Sequence, residues 1–340
     1  MIDWHKIYLF LIENFNQLPF FSTGERLFWG YVLGYTIISY GMYIKLPPHL
    51  KPKRFFNYLF PSQIYLHPSA KVDYVYFIWI SLFSMAMLPF LALQGEVIYR
   101  ASLSILNNNL GPLSKPLSVT LASKILLNLS FVLVADFIIF ITHYMQHKST
   151  ILWQFHKVHH SAEVLTPITT QRMHPIDILL TFGLSVVLIS GFAAIYSYLF
   201  VEQLSLVTIA GMNAFFFLFY MTIFHFRHSH IWLHFPRWLC YVFISPAQHQ
   251  IHHSSLEKHL NCNYGFIFSC WDYLFGSLYI PDKKEYFPMG LHNDPAQKEM
   301  CSTGKLFWLP FTHALNLMKK DKSNKAHTHN KSCDHFPIKK

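Results

Sequence analysis

The chain has 340 residues, of which 52% are hydrophobic, 18% aromatic and only 13% charged. A water-soluble domain carries about a quarter charged residues, so this composition excludes an ordinary soluble enzyme and points to a surface that largely avoids water. The formal charge of +10 does not indicate nucleic acid. Its lysines and arginines gather at the ends of apolar runs and in the tail, where a membrane protein places its cytoplasmic charge.

Residues 1–21 mix polar and charged groups into their apolar positions, unlike a cleavable signal peptide; their aromatic content suits an interfacial helix. Apolar runs of membrane-spanning length follow at Gly24–Ile44, Tyr74–Leu93 and Thr120–Thr142. Two more, Ile176–Phe200 and Leu204–Phe224, are joined by the short Val201–Gln203 link and read as a tight hairpin. The expected fold is an all-α membrane protein of about five transmembrane helices, with a helical cytosolic cap. Lys45, Lys51, Lys53 and Arg54 follow the first run, Lys148, Lys157 and Arg172 the third, and Arg227 and Arg237 the fifth. The opposite loops hold only Arg100 and Lys115, which puts the N-terminus outside and the regions after the third and fifth runs inside. The chain divides into N-terminal membrane helices (1–118), a catalytic region (119–285) and a basic C-terminal segment (286–340). That segment's polar end, from Lys319 onward, has the composition of a disordered tail. Five cysteines (Cys240, Cys262, Cys270, Cys301 and Cys333) form no C-x-x-C pair, which favours a reduced compartment over disulfides or a thiolate zinc site. In the tail, His327, His329, Cys333 and His335 read as solvated side chains rather than a metal site.

Of 22 histidines, 13 lie between His143 and His253. They form HYMQH (His143, His147), HKVHH (His156, His159, His160), RMHP (His174), HFRHSHIWLH (His225, His228, His230, His234) and HQIHH (His249, His252, His253). At about 100° per residue, H-x-x-x-H places two rings on one helical face, and H-x-x-H-H keeps three within about 100° of arc. A lone histidine is most often structural, but ten in repeated spacing are not. The third run exits the membrane at His147, and the hairpin returns the chain to the same face before the later packets, so all of them share one layer. One first-row ion accepts about six ligands, and imidazole suits zinc, copper, iron and nickel. Nine or ten imidazoles therefore imply two ions, and two irons fit best. Zinc would leave half the set unused, and no H-E-x-x-H is present. Asp136 lies on the same helical face as His143 and His147, deep in an apolar run where a carboxylate is costly. It reads as a group orienting a ligand imidazole, and Asp272 is a similar candidate; Glu163 reads as an ordinary capping or solvent-facing group.

The ordered set D-x6-H-x3-H (Asp136, His143, His147), H-x2-H-H (156–160), R-x-H-P (Arg172, His174, Pro175), F-R-H-S-H (His228, Ser229, His230) and H-x2-H-H (249–253), then Asn263, Gly265, Trp271, Asp272 and Gly276, resembles the fatty acid hydroxylase/sterol desaturase superfamily. The resemblance covers Asp136 to Ile280. It implies an integral-membrane enzyme in which His143, His147, His156, His159, His160, His228, His230, His249, His252 and His253 hold two irons. It further implies O2 as co-substrate and an unactivated lipid C–H bond as the target, hydroxylated or desaturated. Here His174 is the weakest candidate ligand. Sterol, fatty acyl chain, ether lipid and carotenoid remain open as substrate, entering from the bilayer. Phe215, Phe216 and Phe217 read as packing residues before tunnel lining. Electrons would come from a separate carrier protein docking on a basic cytoplasmic face at Arg227, Arg237 and Lys258. The expected location is a bacterial inner membrane or endoplasmic reticulum, multi-pass, with the site on the cytoplasmic side. The rival readings are a histidine-rich metal transporter or sensor, for which ionisable groups should line a membrane path, and a catalytically inactive lipid-binding relative.

Overall fold

The computed structural model describes residues 22–114, 116–200 and 205–331. It is mostly helical. In chain order the helices are α1 (Trp29–Ile44), α2 (Pro68–Leu110), α3 (Leu121–Lys148), α4 (Thr150–His160) and α5 (Pro175–Leu199). A small turn of β1 (Thr208–Ile209) and β2 (Met212–Asn213) precedes α6 (Ala214–Arg227), α7 (Pro246–His252), α8 (Cys270–Leu274) and α9 (Thr303–Lys331).

Three helices, α2, α3 and α5, are long and apolar enough to cross a membrane. They show the required outer surface: Ile78 and Leu82 on α2, Ile125 and Leu129 on α3, and Val187 and Ile195 on α5 are exposed. The sequence pattern anticipates five spans. Of the other two, α1 covers 16 residues, and the fifth is shortened at its start by a hairpin turn. Ala210 and Gly211 adopt φ of 48° and 81°, the backbone pairing that closes a two-residue hairpin. Asn213 then caps α6 by accepting from Phe215 N (3.1 Å) and Phe216 N (3.4 Å). The Val201–Gln203 link of the expected hairpin lies outside the described residues, as do residues 1–21 and the tail's Cys333 and His335. Phe216 and Phe219 pack into a core with Val132, Phe224 and Ile267.

Within α6, Tyr220–Phe224 form a π turn, which adds a residue to the turn and re-aims the side chains beyond it. Helix α1 crosses it so closely that a Cβ on Gly34 would lie 2.1 Å from the Met221 carbonyl oxygen. Only glycine fits that crossing. At one end of the spans, α3 passes through Ser149 directly into α4, whose first turn is capped by Ser149 Oγ accepting from Leu152 N (3.3 Å). Ser245 and Gln248 form the reciprocal cap that starts α7. Arg172 is fully buried and ties these parts together. It pairs with Asp73 of α2 (2.7 Å) and donates from Nε to the Val158 carbonyl at the end of α4 (3.0 Å).

Candidate metal centre

Nine imidazoles converge in two adjoining groups. His143, His147, His156, His160 and His252 form the first, and His159, His228, His249 and His253 the second. In each group the candidate ligand nitrogens all lie within 4.8 Å of one another. Neither H-x-x-H-H packet serves a single group. Helical geometry explains the division: i and i+4 lie about 40° apart, whereas i+3 falls about 60° to the other side of i. Thus α4 turns His156 and His160 to the first group and His159 to the second. Helix α7 does the reverse, giving His249 and His253 to the second group and His252 to the first. His143 and His147 come from the end of α3, and His228 lies just beyond the π turn in α6.

The nitrogen spacing fits bound ions better than hydrogen bonds. His228 Nε2 lies 3.2 Å from His159 Nε2, 3.1 Å from His253 Nε2 and 3.3 Å from His249 Nε2. One ring nitrogen carries one proton or one lone pair and cannot satisfy three neighbours. Ligands about 2.0–2.1 Å from a shared ion sit about 3 Å apart when adjacent, which is the observed edge. In the first group His252 Nε2 is 3.0 Å from His143 Nε2, and Nε2 of His147, His156 and His160 has no partner among the described residues. Buried polar atoms are rarely left so.

The outward-facing nitrogens are held by the protein. His143 Nδ1 donates to the Tyr264 carbonyl (2.8 Å) and His252 Nδ1 to the Cys262 carbonyl (2.7 Å), which leaves each Nε2 lone pair free for metal. His156 Nδ1 faces the buried Asp177 carboxylate at 3.4 Å. His249 differs, since its Nδ1 accepts from the Arg227 guanidinium (2.7 Å), a group that can only donate, so the neutral ring carries its proton on Nε2 and would have to release it to ligate a metal there.

Burial pushes the His156 imidazole down to about 3 and holds His159, His160, His228, His249, His252 and His253 well below the usual histidine range. All are neutral near pH 7, the form that binds metal. These depressed values also set an acid limit. Below the unfolded value of 6.5 the unfolded chain takes up protons that the folded chain refuses, so stability is lost as pH falls. The metal-free protein is expected to show a thermal midpoint that drops steadily from pH 7 to pH 4, roughly the window between those two values.

Residues 128–277 match the fatty acid hydroxylase family, and that stretch contains every member of both histidine groups. The segment that bears the site is therefore similar to the fatty acid hydroxylase family. The ornithine lipid hydroxylase OlsE of Rhizobium tropici is 28% identical over 175 residues, covering 51% of this chain and 48% of that protein. The chain therefore spans about half the length of the curated relative it matches. No solved structure matches it.

Within this segment, several residues singled out in the sequence take other positions. His230 lies outside both groups, with Nε2 donating to the Tyr58 carbonyl (2.7 Å). His174 has both nitrogens engaged: Nδ1 caps α5 by accepting from Ile176 N (3.1 Å), and Nε2 donates to the Phe307 carbonyl (3.1 Å). With no free lone pair, it is a helix cap rather than a ligand. Asp136 touches no imidazole. It accepts from Ile267 N (2.7 Å), Phe268 N (3.2 Å) and Trp271 Nε1 (2.9 Å), fixing the loop that leads away from the site. Asp272 comes one step closer, because it holds Tyr264 N (2.8 Å) and Gly265 N (2.7 Å) beside the carbonyl that takes His143. Arg227 is 2% exposed and bonded to His249, so it is no part of a docking surface. Arg237 and Lys258 are exposed but paired with Asp282 and Glu285.

Asp177 is the functional candidate that sequence reading passed over. A carboxylate three residues into a helix after H-P looks like an ordinary first-turn acid, and only the fold brings it to His156. The Tyr264 and Cys262 backbone carbonyls carry no sequence signal at all. His225 is buried beside Tyr35 and Phe224, outside both groups, with neither ring nitrogen partnered among the described residues.

Proposed function

We propose that this chain is a membrane di-iron oxygenase that hydroxylates a C–H bond of a lipid. The observation that carries the reading is the pair of adjoining groups built wholly from buried and half-buried imidazoles, nine in all, in a segment similar to the fatty acid hydroxylase family. His143, His147, His156, His160 and His252 would hold one iron, and His159, His228, His249 and His253 the other. Iron bound there supplies activation of O2 against an unactivated C–H bond.

The chain's own contribution is placement and electrostatics. Imidazoles add no negative charge, so the bound ions remain strong Lewis acids. The Tyr264 and Cys262 carbonyls fix the tautomers of His143 and His252, and the buried Asp177 carboxylate faces His156 Nδ1 at 3.4 Å. Hydroxylation consumes O2, two electrons and two protons and returns an alcohol and water. The electrons are assigned to a separate carrier protein, and the site to the cytoplasmic edge of the membrane. The relative's name makes an ornithine lipid the first substrate to test, with fatty acyl and sterol lipids after it. Desaturation is the lesser outcome, because the matched family and relative are both named for hydroxylation.

Metal analysis of the purified protein, combined with O2 uptake under a chemical reductant, tests this reading. Two irons per chain and uptake that depends on added lipid are expected. Zinc alone, or metal transport into vesicles without lipid oxidation, overturns it. His292→Ala serves as the control and retains full iron, since His292 bonds the Ser255 carbonyl away from both groups.

A further inference from the structure

Helix α9 carries an apolar stripe that faces away from the protein. Trp308, Phe311, Leu315 and Met318 recur at i, i+3, i+7 and i+10 and are all exposed, Trp308 by 71%. The opposite side of the helix is anchored, with Leu306 buried against Tyr76, Ile80 and Val158, and Phe307 and Leu309 packed beside it. An exposed stripe at helical spacing marks a surface meant for an apolar partner.

Two observations identify that partner as the bilayer. The first is continuity. Trp308 and Phe311, together with Trp79 and Phe83 of α2, line a cavity of about 680 Å³ with His174 and Phe307 in its wall. Trp79 is 56% exposed and adjoins the exposed Ile78 on the membrane-spanning helix α2. The groove therefore opens on the side of the molecule that meets lipid, and its two tryptophans suit the membrane–water interface. The second is charge. Lys305 precedes the stripe and Lys319 and Lys320 come after it, all exposed, as on a helix that lies among anionic headgroups.

We propose that α9 lies in the membrane interface with its Trp308–Met318 stripe among acyl chains, and that the groove between α2 and α9 binds the acyl chain of a bilayer lipid. Its volume falls in the range of about 300–1,000 Å³ typical of small-molecule sites. The wall of the groove also touches α4. The His174 ring in its wall packs with its centroid 5.0 Å from that of Phe155 and 5.2 Å from that of Phe311, and Phe155 immediately precedes His156. A chain bound there lies against His174, which touches α4, the helix that carries His156, His159 and His160, and this makes the groove a route by which a lipid substrate enters. That last role rests on the oxygenase reading, whereas the docking does not.

The test uses the full chain in phosphatidylcholine–phosphatidylglycerol vesicles doped with a phospholipid bearing a diazirine in its acyl chain. After irradiation, adducts are mapped by mass spectrometry. Adducts on Trp79, Phe83, Trp308 and Phe311 are expected. Labelling confined to the outer faces of α3 and α5, with α9 untouched, overturns the proposal. In the Trp308→Asp/Phe311→Asp variant the α9 adducts should be lost while those on α3 persist as the internal sign of a folded, inserted protein. Trp308→Phe should keep them, and their loss in that conservative variant counts against the groove. Groove labelling without iron leaves the docking standing while the oxygenase reading fails. Iron and turnover without groove labelling do the opposite.

Discussion

His159→Ala is expected to remove the metal from the second histidine group, whereas His230→Ala leaves the metal content unchanged. The two residues look alike in the sequence, since both lie in dense histidine packets. The structure separates them. His159 Nε2 is 3.2 Å from His228 Nε2 and belongs to a group of four, so its loss leaves three ligands. His230 is occupied with the Tyr58 carbonyl. Losing a group that merely supports a ligand lowers metal affinity by about 10–100-fold; losing a ligand from the smaller group should cost more than that. Iron per chain should therefore fall by at least half in His159→Ala, with circular dichroism showing retained helix. If His230→Ala lost iron as fully as His159→Ala, the division into these two groups would be wrong.

The histidine spacing was legible because helical periodicity constrains it. Two H-x-x-H-H packets on short helices, plus an H-x-x-x-H pair at the end of α3, must present rings on defined faces. The division of each packet between two ions was not legible, because it depends on how α4 and α7 face each other. His228 was legible as the first choice in its packet, but the exclusion of His230 was not, because its ring turns to the Tyr58 carbonyl of a distant segment. Apolar length identified α2, α3 and α5 as potential spans but overextended the fifth run, where Ala210 and Gly211 turn the chain before the helix starts. The serine next to each packet has a local role at both sites. Ser161 Oγ donates to the Val158 carbonyl (2.7 Å) and accepts from Arg172 (2.8 Å), while Ser254 Oγ accepts from Leu256 N (3.1 Å) beside His259. Each secures the chain just after its last histidine. Charge was the least reliable guide. Arg227 counts as a loop base in the sequence, yet it sits at the centre of the site.

Arg227→Leu should be as damaging as loss of a ligand, although Arg227 binds no metal. Its guanidinium donates to His249 Nδ1 (2.7 Å), to the Gly265 carbonyl (3.0 Å) and to the Phe266 carbonyl. Leucine fills much of the space but leaves three buried acceptors without a donor, at about 1–3 kcal/mol each. Two of them lie in the loop held from its other side by Asp136 and Asp272, so that loop loosens. It carries the Tyr264 carbonyl that fixes His143. The damage should therefore reach both groups, but the second more strongly because His249 loses the donor that holds its Nδ1. A lysine cannot reproduce the fork, since one ammonium does not span a ring nitrogen and two carbonyls. Arg227→Lys should recover part of the thermal stability and little of the iron. Asp177→Asn provides the contrast: its carboxylate faces His156 Nδ1 at 3.4 Å without a hydrogen bond between them, so iron should stay near its full content. Thermal midpoint and iron per chain, measured on the three variants together, distinguish these cases. If Arg227→Leu kept both stability and iron, the loop and His249 would have to be held by something other than this guanidinium.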